Sequence, residues 1–90
     1  MAWKVELDPG ARREIGKLDD KTSRRILAFL RDRLSSMDNP RAIGQPLRHN
    51  KHQRFWRYRV GDYRIVATID DHASQIIVLR VGHRRDIYQR

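Results

Sequence analysis

The spacing of apolar residues along the chain changes period twice. Trp3, Val5 and Leu7 alternate with Lys4 and Glu6, the two-residue period of a half-buried strand. From Asp8 the period lengthens. Asp8-Pro9 is a helix-start signature, with aspartate at the N-cap and proline at the first helical position, and Ala11, Ile15 and Leu18 then fall on one face. Asp19-Asp20 interrupts this helix and caps a second one. There Ile26, Leu27, Leu30 and Leu34 recur at core spacing, with Phe29 beside them and charged residues opposite. Asn39-Pro40 is expected to end it, because the residue before a proline disfavours the α region. Two consecutive helices with a short link predict a helical hairpin.

Residues 38–53 contain Pro40, Gly44 and Pro46 and little apolar content. They form a loop that is long for so short a chain, which marks it as a candidate functional segment, with Ile43 and Leu47 as its expected anchors. From Phe55 the period returns to two. Trp56, Tyr58 and Val60 share one face of a strand, and Phe55, Arg57 and Arg59 the other. Gly61-Asp62 fits a tight hairpin turn with glycine at positive φ. Tyr63 to Ile69 is the returning strand, and Asp70 to Ser74 the next turn, not a carboxylate dyad. Ile76 to Val81 is apolar on both faces and is expected to be a central, covered strand. The predicted class is α+β in the order β-α-α-β-β-β: an N-terminal strand, a helical hairpin, then antiparallel strands, with the helices on one face of the sheet. The other face is left partly open. Trp3, Phe29 and Trp56 read as core.

Length narrows the picture. Ninety residues make a single domain, 1–90, which buries only about 60–65% of its unfolded surface. A separate substrate domain has no room. The chain has no cysteine, so disulfides and thiolate metal sites are excluded and a reducing cytoplasm is expected. No apolar run approaches the ~18 residues that span a bilayer, and the N-terminus has no signal-peptide core. No membrane role is expected.

Charge changes the picture more. The formal net charge is +9, and it is unevenly placed. Residues 1–40 carry nine Lys/Arg against seven Asp/Glu, residues 41–64 seven against one, residues 65–79 none against two, and residues 80–90 four against one. The surplus falls in two stretches where arginines alternate with aromatics, Arg54-Phe55-Trp56-Arg57-Tyr58-Arg59 through Tyr63-Arg64, and His83-Arg84-Arg85-Asp86-Ile87-Tyr88. Clustered cations favour a polyanion through long-range attraction and counterion release, and interleaved aromatics favour nucleic acid over a plainly solvated face.

The hairpin is expected to bring Arg57 and Arg64 near each other. Gly82 ends the last strand, so that Arg84 and Tyr88 fold over its end. Three arginines and a tyrosine then converge around one phosphate. Arginine's planar fork matches phosphate oxygens two at a time and neutralises charge that grows in a phosphoryl transition state. An RNA substrate brings its own nucleophile, the 2′-hydroxyl, so cleavage needs orientation, charge stabilisation and proton transfer but no metal or other cofactor. On spacing alone, catalysis and plain binding of nucleic acid or protein stay equally open. His49 and His52 lie three apart, but no cysteine or clustered carboxylate completes a metal shell. Either of them, or His83, is a candidate general acid or base. The glycines are isolated and form no phosphate loop.

These residues resemble a known family. Leu47-Arg48, the run Trp56-Arg57-Tyr58-Arg59-Val60-Gly61-Asp62-Tyr63-Arg64 and above all Val81-Gly82-His83-Arg84-Arg85-Asp86-Ile87-Tyr88 are similar to the RelE/ParE superfamily of toxins from toxin–antitoxin pairs. The likeness covers nearly the whole chain. The C-terminal motif resembles the ribonuclease branch more than the gyrase-poisoning branch. That resemblance implies cleavage of mRNA in the ribosomal A site, leaving a 2′,3′-cyclic phosphate. Arg64 is then the transition-state stabiliser, Arg84 the general acid or leaving-group stabiliser, and Tyr88 the residue that stacks on the scissile nucleotide. Arg57 stands where the family often has a lysine that helps activate the 2′-hydroxyl. Arginine stays protonated in proteins and is a poor base. Phe55 falls where some members have a second lysine. Lys51, His49 or His52 are therefore auxiliary candidates. Arg48, Lys51, Arg54, Arg59 and Arg85 are expected to contact RNA or the ribosome. A RelB-like antitoxin is the implied partner, with operator DNA bound only through the toxin–antitoxin complex. The rival readings are a ParE-like gyrase inhibitor and a non-catalytic RNA-binding module. The sequence stops two residues after Tyr88, so no further helix is expected.

Overall fold

The computed structural model describes residues 2–47 and 54–87. Arg48, His49, Lys51, His52 and Tyr88, expected at the site, lie outside the described residues. The chain runs β1 (Lys4–Leu7), α1 (Pro9–Gly16), α2 (Asp20–Ala28), β2 (Gln45–Pro46), β3 (Phe55–Val60), β4 (Tyr63–Asp70) and β5 (Gln75–His83). The strands form one sheet in the order β1-β5-β4-β3-β2. This is the expected α+β arrangement with one addition, the two-residue β2 inside the segment read as loop. No helix among the described residues is long and apolar enough to cross a membrane.

Both helices start as the aspartates dictate. The Asp8 carboxylate accepts from the Gly10 amide at 3.0 Å, and Asp19 from the Thr22 amide at 3.1 Å, which satisfies N–H groups that have no partner within the helix. The second helix ends differently from expectation. After Ala28 it widens into a π-helical turn over Phe29–Leu34, where the Ser35 amide reaches back to the Leu30 carbonyl. Ser35 then binds the N-terminal segment. Its hydroxyl donates to the Trp3 carbonyl, and its own carbonyl accepts the Trp3 amide. The stop is thus set by this contact and not by Pro40. Pro40 lies further on, with its side chain fully buried.

The core lies between the helices and one face of the sheet. Ala11, Ile15, Ile26, Leu30 and Leu34 meet Tyr58, Val60, Ile65, Ala67, Ile76, Val78 and Val81, all buried. Trp3, Phe29, Ile43 and Trp56 pack on its margin. Leu27, expected in the core, is 37% exposed. Ile26 and Leu30 are four apart and take the inward stripe, leaving Leu27 a third of a turn away.

β4 holds the centre of the sheet, where the sequence pointed to β5. β5 is also interior, flanked by β4 on one side and by β1, running parallel to it, on the other. A bulge separates the pairs Val66–Arg80 and Ala67–Val78, leaving Leu79 as an extra residue. It turns both Val78 and Val81 to the core although they are an odd number of residues apart.

Tyr58 ties the segment before β2 to the sheet. Its hydroxyl donates to the Pro40 carbonyl at 2.7 Å, and its ring packs against Phe29. Burial pushes the hydroxyl's pKa from 10.0 up to about 12. The folded protein therefore keeps this proton at a pH where the unfolded chain has lost it. The resulting stability is complete below pH 10 and is lost as pH rises through about 12. Tyr58→Phe should flatten this alkaline loss. Near neutrality it should destabilise by ~1–3 kcal/mol, because the Pro40 carbonyl loses its donor. Denaturant unfolding at neutral and alkaline pH reads both effects.

Candidate functional site

The sheet face opposite the helices carries cations in two adjacent rows. Register places Arg59 opposite Arg64 and Arg64 opposite Gly82. One step along, Arg57 lies opposite Val66, and Val66 opposite Arg80. Arg57 is therefore a diagonal neighbour of Arg64, and Arg59 its direct partner. Like charges directly opposite each other destabilise an antiparallel pair. A face that keeps them is suited to an anionic ligand.

Arg64 is only 7% exposed. Its Nη1 donates to the carbonyls of Gly61 at 3.1 Å and Tyr63 at 3.0 Å, so the guanidinium is fixed against the β3–β4 turn. That turn exists because Gly61 takes φ +59°, a conformation that side-chain-bearing residues rarely adopt. Arg57 is held from the other side, where its Nη2 donates to Gln45 Oε1 at 2.6 Å. The short strand β2 thus has a role that sequence reasoning missed. It brings a neutral acceptor to the arginine.

Arg84 lies just past the end of β5. Its amide donates to the Asp62 carbonyl at 2.7 Å, and its Nε is 3.8 Å from Asp62 Oδ1. Both side chains are more than half exposed. Such a pair is worth ~0–1 kcal/mol and yields easily to a phosphate. The chain then turns back, with the amides of Asp86 and Ile87 both donating to the His83 carbonyl. Ile87 is buried and lies over Gly82. A Cβ on Gly82 would stand 3.2 Å from Ile87 Cδ1, so glycine makes room for the fold-back. The structure therefore brings Arg57, Arg59 and Arg64 to one face and Arg84 to its end.

The remaining expected residues separate. Arg54 is exposed, with its guanidinium 5.8 Å from the Phe55 ring centroid. Arg85 is exposed, and its amide donates to His83 Nδ1. His83 sits edge-on to Tyr63 on the helix side of the sheet, away from the arginine rows. Asp71 is a turn residue engaged by both Nη atoms of Arg41, whose hydrogen bonds hold its carboxyl below the usual range. Among the described residues no cluster of three or more His, Cys, Asp or Glu could hold a metal ion.

Arg80 was not anticipated as a site residue. Its Nη1 donates to the Ile87 carbonyl at 2.8 Å and its Nη2 to Glu14 Oε2 at 3.1 Å, while Glu14 Oε1 accepts the Val81 amide. The one arginine inside an otherwise apolar strand was the available signal. Arg80→Ala should loosen the turn that follows β5. Amide exchange at Asp86 and Ile87 should speed up about fivefold, the equivalent of one net hydrogen bond. Unchanged exchange would remove the clamp assignment.

Comparison with known proteins agrees with this architecture. Residues 5–88 match the family described as ParE toxin of type II toxin–antitoxin system. The chain belongs to the RelE/ParE toxin superfamily. Its relatives include Toxin RelG of Mycobacterium tuberculosis, 36% identical with all of both chains covered, and Toxin RelE of the same organism, 29% identical over 97% of this chain and 87% of the relative. Among solved structures, the toxin–antitoxin complex RelBE2 of Mycobacterium tuberculosis superposes with a TM-score of 0.83 at 31% identity, covering 96% of this chain and 95% of that one. The intact Escherichia coli RelBE complex, at 23% identity and a TM-score of 0.70 over 91% of this chain and 96% of that one, shares the fold. The protein is a toxin of the type II toxin–antitoxin class.

Proposed function

We propose that this toxin is a ribosome-dependent endoribonuclease that cuts mRNA in the A site. The observation that carries the reading is the row Arg59–Arg64–Gly82 with Arg84 at its end. It offers a fixed guanidinium and a loosely held one on the same strand ends.

In this reading Arg64 holds the non-bridging oxygens of the scissile phosphate as charge grows on them. The 2′-oxygen attacks phosphorus, the bond to the 5′-oxygen breaks, and a 2′,3′-cyclic phosphate and a 5′-hydroxyl result. Arg84 donates a hydrogen bond to the departing 5′-oxygen, which takes its proton from water, while Arg57 and Arg59 lower the cost of forming the 2′-oxyanion. Tyr88 stacks on the scissile nucleotide. His49, His52 or Lys51 takes the 2′-proton, since Arg57 is a poor base. Arg48, Arg54 and Arg85 contact RNA or the ribosome. No cofactor is required. The complexes formed by its structural relatives support a RelB-like antitoxin as partner, covering the basic face. Operator DNA is then bound only through that complex. The work place is the cytoplasm.

Expression followed by mapping of mRNA 5′ ends tests the reading. Cuts phased to codon positions are the expected result, and intact mRNA in growth-arrested cells would sink it. The description of the matching family as ParE toxin favours one rival, inhibition of DNA gyrase. Loss of supercoiling by purified gyrase, without mRNA cleavage, would establish that rival. Binding to RNA without either effect would leave a non-catalytic module.

A further inference from the structure

We propose that the cleft between α2 and the β3–β4 turn is a second phosphate subsite, which takes the sugar–phosphate backbone of a nucleotide flanking the one cleaved. The proposal rests on the nuclease reading and extends the substrate path beyond the open face. The cleft has a volume of about 220 Å³ and is lined by Lys21, Thr22, Arg25, Val60, Asp62 and Tyr63.

Four features point to an anionic strand here. Lys21 and Arg25 lie four residues apart on α2, both exposed, at a spacing where like charges destabilise a helix. Neither enters an ion pair among the described residues. Arg25 lies across the turn that also fixes Arg64. A Cβ on Gly61 would stand 2.9 Å from Arg25 Nη1, whereas the Gly61 carbonyl accepts from Arg64 Nη1. Asp62, the single carboxylate of the lining, is outnumbered there by Lys21 and Arg25, and its carbonyl is held by the Arg84 amide. A two-residue turn is therefore all that separates the proposed reaction site from the cleft. Tyr63, braced edge-on by His83 at 5.5 Å between ring centroids, adds an aromatic wall. Aromatic faces beside cations suit single-stranded RNA, since every base has a face to stack.

The test uses the full chain and uncleavable 2′-O-methyl RNA, as a dinucleotide that carries only the scissile linkage and as a decanucleotide, with affinity measured across a salt series. Each phosphate contact to a single strand contributes ~0.7 to the slope of log affinity against log salt. Lys21→Ala/Arg25→Ala should lower the decanucleotide slope by about 0.7, the value for one phosphate, and leave dinucleotide binding unchanged. Lys21→Ala alone, which leaves the turn contact of Arg25 in place, should lower it by part of that amount. Unaltered slopes in folded variants would overturn the subsite. So would an equal loss for both RNAs, or no decanucleotide binding by the unsubstituted protein. Failure to cut mRNA on programmed ribosomes would remove the nuclease reading alone, because the slopes are read without cleavage.

Discussion

Replacing Arg64 by alanine should lower the rate of mRNA cleavage on programmed ribosomes by about 10²–10³-fold, the usual loss when one fixed donor to a developing oxyanion is removed. The size follows from how the side chain is held. Its two bonds to the carbonyls of Gly61 and Tyr63 fix the guanidinium before substrate arrives, so little reorganisation is left for the transition state. The same bonds make the residue structural. Alanine leaves two carbonyls without their donor and should destabilise the protein by ~1–3 kcal/mol. Arg64→Lys separates the two effects. A lysine keeps the charge and one nitrogen for the two carbonyls that Nη1 serves, but has no second nitrogen to offer a phosphate. It should retain most of the stability and still lose most of the rate. Melting temperature and single-turnover cleavage, measured on the same preparations, read both. Full cleavage by folded Arg64→Ala would show that the phosphate is stabilised elsewhere.

Much of this arrangement was legible in the order of residues. The aspartate caps fixed both helix starts, and the return to a two-residue period at Phe55 fixed which side of β3 faces the core. Two elements were not legible, for physical reasons. The bulge at Leu79 breaks the alternation that would assign faces in β5, so Val78 and Val81 read as apolar on both sides when both turn inward. The parallel pairing of β1 with β5 joins residues about seventy apart, and nothing local in Lys4–Leu7 encodes its partner.

The gathering of the arginines was legible, but not its detail. The two-residue turn implies β3–β4 pairing, which brings Arg57, Arg59 and Arg64 to one face. Which arginine is buried did not follow from type, because Arg57, Arg59 and Arg64 are alike in sequence context. Their difference arises from Gly61, whose carbonyl Arg64 reaches. Acceptors supplied from a distance, such as Gln45 for Arg57 and Glu14 for Arg80, depend on tertiary placement and leave no local signal.

Arg84→Ala should behave as the counterpart of the Arg64 variant, with a cleavage rate reduced about 10²–10³-fold, the loss when one donor to developing charge is removed, and stability unchanged within about 0.5 kcal/mol. Its side chain is more than half exposed and meets Asp62 only at 3.8 Å, so little native structure depends on it. The Asp62 carbonyl is engaged by the Arg84 backbone amide, which alanine keeps. If Arg84 serves the leaving group, its loss should be repaired by a substrate that needs no such help. An mRNA whose scissile 5′-oxygen is replaced by sulfur departs as a thiolate without protonation. With that substrate Arg84→Ala should approach the unsubstituted protein, while Arg64→Ala stays slow, because charge on the non-bridging oxygens is the same in both substrates. Equal rescue of the two variants, or of neither, would break the division of labour between the buried arginine and the exposed one.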